Sequence, residues 1–88
     1  MEYTTEMRNR LKRIEGQVRG VLRMMEEDVP CKDVVAQLSA VRSAVDRAIA
    51  VIVSSNMERC IREELEKGDE AGAKKVVKEA IQLLVKSR

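Results

Sequence analysis

The chain has 88 residues, a net charge of +2, and a single aromatic side chain, Tyr3. Hydrophobic residues make up 44% of it and charged residues 36%, and only four glycines and one proline are present to form turns. From these 88 residues we expect one small domain at most, and the composition disfavours a β-sandwich or barrel. These values predict one all-α domain over residues 1–88, small enough that oligomerisation is often needed to complete its core.

The first predicted helix covers residues 5–27 and has two contrasting sides. Its apolar residues recur at helical spacing and form one stripe: Leu11, Ile14, Val18, Val21, Leu22 and Met25. At about 100° per residue, four basic residues fall within about 60° of one another near the opposite side: Arg8, Lys12, Arg19 and Arg23. From residue 8 to residue 23, six basic residues accompany one acidic residue, Glu15.

The second and third predicted helices cover residues 31–66 and 70–86. Pro30 separates the first two, because proline disfavours helical geometry in the residue before it and is tolerated at the start of a new helix. Gly68 is a helix C-terminal signal. The second helix carries a heptad seam: Val34, Leu38, Val41, Val45, Ala48 and Ile52. Three helices with short connections cannot bury all these stripes in one chain, so we expect a dimer with a bundle core.

Two cysteines, Cys31 and Cys60, lie near opposite ends of the second predicted helix, and the chain has no histidine. Their separation of 29 residues corresponds to roughly 43 Å at about 1.5 Å per residue, whereas a disulfide needs Cα atoms within roughly 7 Å. Chemistry shared by these thiols is therefore expected between chains. Antiparallel pairing of two such helices about their midpoint, near Val45 and Asp46, brings Cys31 of one subunit opposite Cys60 of the other.

Three roles for the thiols stay open from the residues alone. A cysteine in a helical stripe is commonly an inert, buried hydrophobe. Cys31, however, falls in the first turn of a helix, where the amide groups and the dipole favour a reactive thiolate. Two thiolates can also hold a soft ion such as Cu(I), although a closed zinc site needs more ligands.

We expect a cytoplasmic protein that is not an enzyme. No signal peptide is recognisable, and the longest apolar run, residues 48–53, is far too short to span a bilayer. In the cytoplasm, cysteines are more often redox-sensing, metal-binding or buried than disulfide-bonded. There is no histidine base, glycine-rich phosphate loop or nucleophile elbow, so the sequence predicts neither catalysis nor a cofactor.

The basic side of the first helix has two interpretations. Runs of Lys and Arg on a helix are commonly a solvated face. Clustered cations also displace counterions from DNA, and a two-fold dimer matches a palindromic site. Four arginines of the second helix could extend this surface, although acidic residues lie near them: Arg42, Arg47, Arg59 and Arg62, with Asp46, Glu58, Glu63 and Glu64 nearby.

Four segments of the chain resemble the copper-sensing operon repressor superfamily. They are RLKRIEGQVRG at residues 10–20, CKDV at 31–34, QLSAV at 37–41, and Cys60. The resemblance implies an all-α repressor whose dimer core is an antiparallel four-helix bundle, assembled as a dimer of dimers. It also implies binding to a pseudo-palindromic, G/C-rich operator through basic residues of the first two helices. The candidates are Arg10, Lys12, Arg13, Arg19, Arg42 and Arg47.

The departures from this pattern indicate which branch the chain resembles. Copper sensors of the superfamily place Cys, then His-x-x-x-Cys, around Cu(I); Cys31 and Cys60 match the cysteines, but Asn56 stands at the histidine position. An amide is a poor ligand for a soft metal. Nickel and cobalt sensors use further histidines, and the formaldehyde-sensing branch uses an N-terminal proline where this chain has Glu2. The chain is most similar to the persulfide-sensing branch, which keeps both cysteines and lacks the histidine.

That similarity implies a covalent sensing mechanism without a bound metal. Cys31 attacks a sulfane sulfur donor, and Cys60 of another subunit resolves the persulfide into a disulfide or longer polysulfide bridge that lowers operator affinity. The alternatives are a Cu(I) sensor using the same two cysteines, a sulfur carrier, and a helical assembly protein with inert thiols.

Overall fold

The computed structural model describes residues 2–87, which form three α-helices: α1 (Thr5–Glu26), α2 (Cys31–Glu66) and α3 (Glu70–Lys86). No strand occurs in this range. The all-α prediction is confirmed, and each predicted helix boundary agrees to within one residue. No helix of the described part of the chain combines the length and apolar character needed to cross a membrane.

The helices belong to two compact units, which divide within α2 after Ala48. The prediction of one domain over residues 1–88 stays a prediction. In the first unit, α1 packs against the first part of α2. The buried residues of α1 are Met7, Ile14 and Val21, which repeat every seven residues along one line, and Ala48 of α2 is also buried.

This core covers only part of the predicted apolar stripe of α1. Ile14 and Val21 are buried, but Leu22 and Met25 remain 54% and 51% exposed, and Leu11 and Val18 are exposed as well. The heptad seam of α2 is also only partly covered: Leu38 and Val45 are exposed, whereas Val34 and Val41 are half-buried. Each helix therefore has more apolar surface than its single neighbour within the unit can cover.

In the second unit, the remainder of α2 packs against α3. The buried residues of α3 are Ala73 and Ala80, again seven residues apart. Their small side chains allow the two helices to approach closely. The larger side chains of α3 stay exposed, among them Ile81 and Leu83.

The two helix ends that precede the connections have the same backbone geometry. After α1, the amides of Asp28 and Val29 donate to the carbonyls of Met25 and Met24 at 3.3 and 3.0 Å. After α2, the amides of Gly68 and Asp69 donate to Leu65 and Glu64 at 3.0 and 2.9 Å. Both are Schellman motifs, which require a left-handed residue: Asp28 has φ 55° and Gly68 has φ 76°. The prediction that Gly68 ends α2 is therefore confirmed.

The substitution Gly68→Ala should lower the free energy of unfolding by about 1 kcal/mol per chain, because an L-residue is strained at this positive φ. Gly16 is the matched control: it lies inside α1 with no atom within 4 Å of an added Cβ. Gly16→Ala should raise the same free energy by up to about 1 kcal/mol through helix propensity. Urea denaturation at one fixed protein concentration measures both changes, and shifts of the same sign would contradict this account.

Candidate thiol sensor and basic groove

Cys31 is the first residue of α2 and is exposed. The amides of Asp33 and Val34 donate to the carbonyl of Pro30 at 3.0 and 3.2 Å, so the helix begins directly at the cysteine. Proline has no side-chain acceptor, in contrast to Thr4 and Asp69, whose oxygens cap α1 and α3. No side chain of residue 30 therefore caps the start of α2. A donor molecule can reach the exposed Cys31 sulfur from solvent without displacing such a cap.

Cys60 lies in the second unit and has a different environment. It is half-buried, and its Sγ donates to Oδ1 of Asn56, one helical turn earlier, at 3.8 Å. The same oxygen accepts from a guanidinium nitrogen of Arg59 at 3.4 Å. The amide oxygen of Asn56 is therefore occupied by two donors of its own helix.

A small cavity between α2 and α3 adjoins Cys60. Its volume is about 80 Å³. Besides Cys60 and Asn56, it is lined by the exposed Glu79 and by five apolar side chains: Val53, Met57, Val76, Ala80 and Leu83. The cysteine spacing did not predict this cavity, because it depends on how closely α3 approaches α2.

The two cysteines lie on one continuous helix, because α2 runs from Cys31 to Glu66. Both cysteines are free thiols. Within residues 2–87, no group of three or more His, Cys, Asp or Glu side chains is arranged to hold a metal ion.

Three of the six candidate DNA-binding residues line one groove in the first unit, here called the basic groove. Arg10, Arg13 and Arg47 surround it together with Gln17, over a base formed by Ile14 and Ala44. Its volume is about 180 Å³. The grouping follows from the helix period, because residues 10, 13 and 17 share one face of α1. Gln17 was not among the predicted site residues, although its spacing of four from Arg13 is a usable signal.

Arg10 is the unusual member of the basic groove. It follows Met7 and precedes Ile14 on the buried side of α1, and its side chain is only 30% exposed. One guanidinium nitrogen pairs with Glu6 at 3.5 Å. Its Nε is buried, and no residue in the described range accepts a hydrogen bond from it. A buried donor without an acceptor costs about 1–3 kcal/mol, so a ligand oxygen in the groove would stabilise this arrangement.

The other three candidates do not join the basic groove. Lys12 and Arg19 are roughly 180–200° around α1 from Arg10, and Arg19 pairs with Glu15 at 3.4 Å on the exposed surface. Arg42 is exposed and roughly 140° around α2 from Arg47. The six residues therefore form at least two surfaces, and only Lys12 and Arg19 belong to the basic side of the first helix described from the sequence.

Comparison with known proteins relates nearly the whole chain to transcriptional regulators. A family model described as metal-sensitive transcriptional repressor matches residues 3–86. Among solved structures, the nickel-responsive transcriptional regulator InrS matches with a TM-score of 0.83 and 37% identity, over 94% of this chain and 93% of that one.

Curated relatives give the same result. The copper-sensing transcriptional repressor CsoR of Bacillus subtilis (strain 168) is 39% identical over 64 residues, which is 73% of this chain and 63% of that protein. The copper-sensing transcriptional repressor RicR of Mycobacterium tuberculosis (strain ATCC 25618 / H37Rv) is 41% identical over 75% of this chain and 72% of its own. A Bacillus subtilis protein of uncharacterised function, YrkD, is 55% identical over its full length and 74% of this chain. The relatives described here that have a stated activity are transcriptional regulators, not enzymes.

Proposed function

Because this chain belongs to the family of metal-sensitive transcriptional repressors, we propose that it is a repressor that senses reactive sulfur species through Cys31 and Cys60. The observation that carries the proposal is the setting of Cys60. Asn56 lies one turn before it and accepts a hydrogen bond from its sulfur. In the copper-sensing pattern that the sequence resembles, this position is a histidine ligand.

The side chains of this chain do not fit the histidine-containing site of the copper-sensing pattern, nor a closed zinc site. The chain has no histidine, and its only thiols are Cys31 and Cys60. Asn56 offers an oxygen that already accepts from Cys60 and Arg59, and an amide is a poor partner for a soft metal. A closed tetrahedral zinc site would need more ligands than two thiolates. A covalent reaction with a sulfane sulfur donor needs no protein group besides the two thiols.

The exposed apolar surface supports assembly of two chains. Leu38 and Val45 lie seven residues apart on α2 and are 44% and 37% exposed, and Leu11, Val18 and Leu22 of α1 are exposed as well. Apolar rows of this kind at heptad spacing are typical of helix pairing between subunits. Antiparallel pairing about residues 45 and 46 brings Cys31 of each subunit opposite Cys60 of the other. The family resemblance favours this dimer as a four-helix bundle, and a dimer of dimers as the final assembly.

The proposed reaction is thiol exchange in two steps. The thiolate of Cys31 attacks the outer sulfur of a donor persulfide, the S–S bond of the donor breaks, and the donor leaves as a thiolate. Cys31 then carries a persulfide. The thiolate of Cys60 in the other subunit attacks Sγ of Cys31, and the outer sulfur leaves as hydrosulfide. The product is a Cys31–Cys60 disulfide between subunits, and reduction by a dithiol reverses it.

The proposed DNA contact is the basic groove together with the outer basic residues Lys12, Arg19 and Arg42. The buried Nε of Arg10 supports this, because a phosphate oxygen would supply the acceptor that residues 2–87 do not. Arg13 and Arg47 add positive charge on both sides of the groove. Cys31 belongs to the same unit as this groove. A bridge from Cys31 to the partner subunit would restrain that unit and bias the repressor towards a form with lower operator affinity.

Treatment of the reduced protein with glutathione persulfide should produce dimers that are covalently linked through Cys31 and Cys60. The variant Cys60→Ser should instead stop at a persulfide on Cys31, and Cys31→Ser should give no cross-link. Intact-protein mass spectrometry and non-reducing gels measure both outcomes. Tight binding of Cu(I) by the reduced protein, with no cross-link formed by the persulfide, would overturn the proposal in favour of copper sensing.

Arg10→Ala and Arg47→Ala should each weaken binding to an operator selected from a pseudo-palindromic DNA library. Each should also reduce the slope of log affinity against log salt by about one unit, the effect of one lost phosphate contact. Arg62→Ala is the matched control, because this exposed arginine of the second unit already pairs with Glu58 at 2.8 Å. If Arg19→Ala reduces the slope while Arg10→Ala and Arg47→Ala leave it unchanged, the outer face of α1 is the DNA-binding surface instead.

A further inference from the structure

The basic groove carries more positive charge than the side chains around it neutralise. Arg10 pairs with Glu6 at 3.5 Å, whereas neither Arg13 nor Arg47 enters a salt bridge among residues 2–87. No acidic side chain of that range is among the residues that line the groove. Three guanidinium groups are therefore opposed by one carboxylate. The two remaining positive charges repel each other, and an anion between them would remove that repulsion.

The groove also presents hydrogen-bond donors that suit an oxyanion. Nε of Arg10 is buried, and no residue in the described range accepts a hydrogen bond from it. A guanidinium group holds its N–H donors in a planar fork, which matches two oxygens of one oxyanion. The side-chain amide of Gln17 lines the same groove and is a further donor. With a volume of about 180 Å³, the groove has room for an ion such as phosphate or sulfate, since a water molecule in the liquid occupies roughly 30 Å³.

The groove faces away from the surface on which the proposed dimer forms. Arg13 is roughly 180° around α1 from the exposed Leu22, and Arg47 is roughly 160° around α2 from the exposed Val45. A second subunit that covers those apolar side chains therefore leaves the groove open. A dissolved ion can reach it in the proposed dimer as well as in the single chain.

We propose that the basic groove binds a free tetrahedral oxyanion with two negative charges, of the phosphate and sulfate class, and that this ion competes with operator DNA for the groove. Binding of the ion stands on the groove alone, whereas the competition rests on the proposed function, because it requires that the groove contacts DNA. Arg10 is the specificity-determining residue, since an oxyanion can span its Nε and a terminal nitrogen and a chloride ion cannot. Glu6 is the competitor within the chain, because it already occupies one guanidinium nitrogen of Arg10.

Titration of the reduced, DNA-free, full-length protein with sodium phosphate tests the site directly. Isothermal titration calorimetry is done where phosphate is a dianion, with chloride keeping the ionic strength constant. We expect one phosphate per chain, and Arg47→Ala should weaken its binding about tenfold through the loss of one charged hydrogen bond. Arg10→Lys keeps the charge but lacks the Nε donor, so it should weaken binding several-fold, whereas Glu6→Gln should tighten it. Arg62→Ala is the matched control and should have no effect, because Arg62 pairs with Glu58 in the second unit.

Operator binding by the same reduced protein tests the competition. Each groove that contacts DNA should lower operator affinity by a factor of one plus the ratio of phosphate concentration to the measured Kd for phosphate. At about ten times that Kd, fluorescence anisotropy should therefore show operator affinity at least about tenfold lower than in chloride of the same ionic strength. Sodium sulfate should act in the same way. In Arg10→Lys, operator affinity in chloride should be lower, and phosphate should reduce it by a smaller factor.

Equal phosphate binding by wild-type protein, Arg10→Lys and Arg47→Ala, all folded by circular dichroism, would mean an adventitious ion only and would overturn the inference. No phosphate binding by the wild-type protein overturns it without any substitution, and the groove is then a site for DNA alone. Phosphate binding that leaves operator affinity at its value in chloride overturns the competition. The proposed sulfur sensing has a separate readout, because cross-linking by glutathione persulfide depends on Cys31 and Cys60 and not on the groove.

Discussion

The length of α2 is the constraint on which the thiol chemistry depends. The helix has 36 residues. Cys31 is its first residue, and Cys60 lies about one and a half turns before its last residue, Glu66. A helix rises only about 1.5 Å per residue, so the two sulfurs cannot meet inside one chain. Any reaction that joins them needs a second subunit. In the proposed repressor, sensing and assembly are therefore two consequences of the same helix.

The incomplete cores of the two units agree with this dependence on a partner. Each unit buries a narrow row of side chains at intervals of seven residues, with Met7, Ile14 and Val21 in the first and Ala73 and Ala80 in the second. Broad rows of Leu, Val and Met remain exposed beside them. Burying apolar surface contributes about 25 cal/mol per Å², so covering these rows in a dimer would add substantially to the stability of so small a chain. The thiols and the apolar rows thus favour the same antiparallel arrangement.

Most of the fold could be predicted from local signals, and the site only in part. The backbone preferences of Pro30 and Gly68 act over one or two residues and therefore mark helix boundaries. The structure has α2 begin directly after Pro30 and end two residues before Gly68. The predicted stripe of α1 included the buried Ile14 and Val21 but not the buried Met7, and periodicity does not tell how much of a stripe one neighbour covers. For that reason Leu22 and Val18 were expected with Ile14 and Val21, yet they are exposed.

The basic residues and the cavity required tertiary information. Counting charges between residues 8 and 23 grouped Arg10 with Lys12, although they lie on opposite sides of α1. The burial of Arg10 and its unsatisfied Nε depend on packing against α2. Ala80 was one member of an apolar stripe in the sequence, and its effect on the space beside Cys60 appears only when α3 is in position. The proposed sulfur chemistry of the two thiols could be predicted from the sequence alone, because the absence of histidine is visible in the composition.

The central claim is that a bridge between Cys31 and Cys60 controls operator binding. The most direct test measures the operator affinity of one preparation in three states: reduced, fully bridged by a persulfide donor, and reduced again with dithiothreitol. A coupling of about 1–3 kcal/mol predicts that bridging weakens binding by roughly 5–150-fold and that reduction restores it. A fully bridged protein that binds its operator as tightly as the reduced protein would contradict the account.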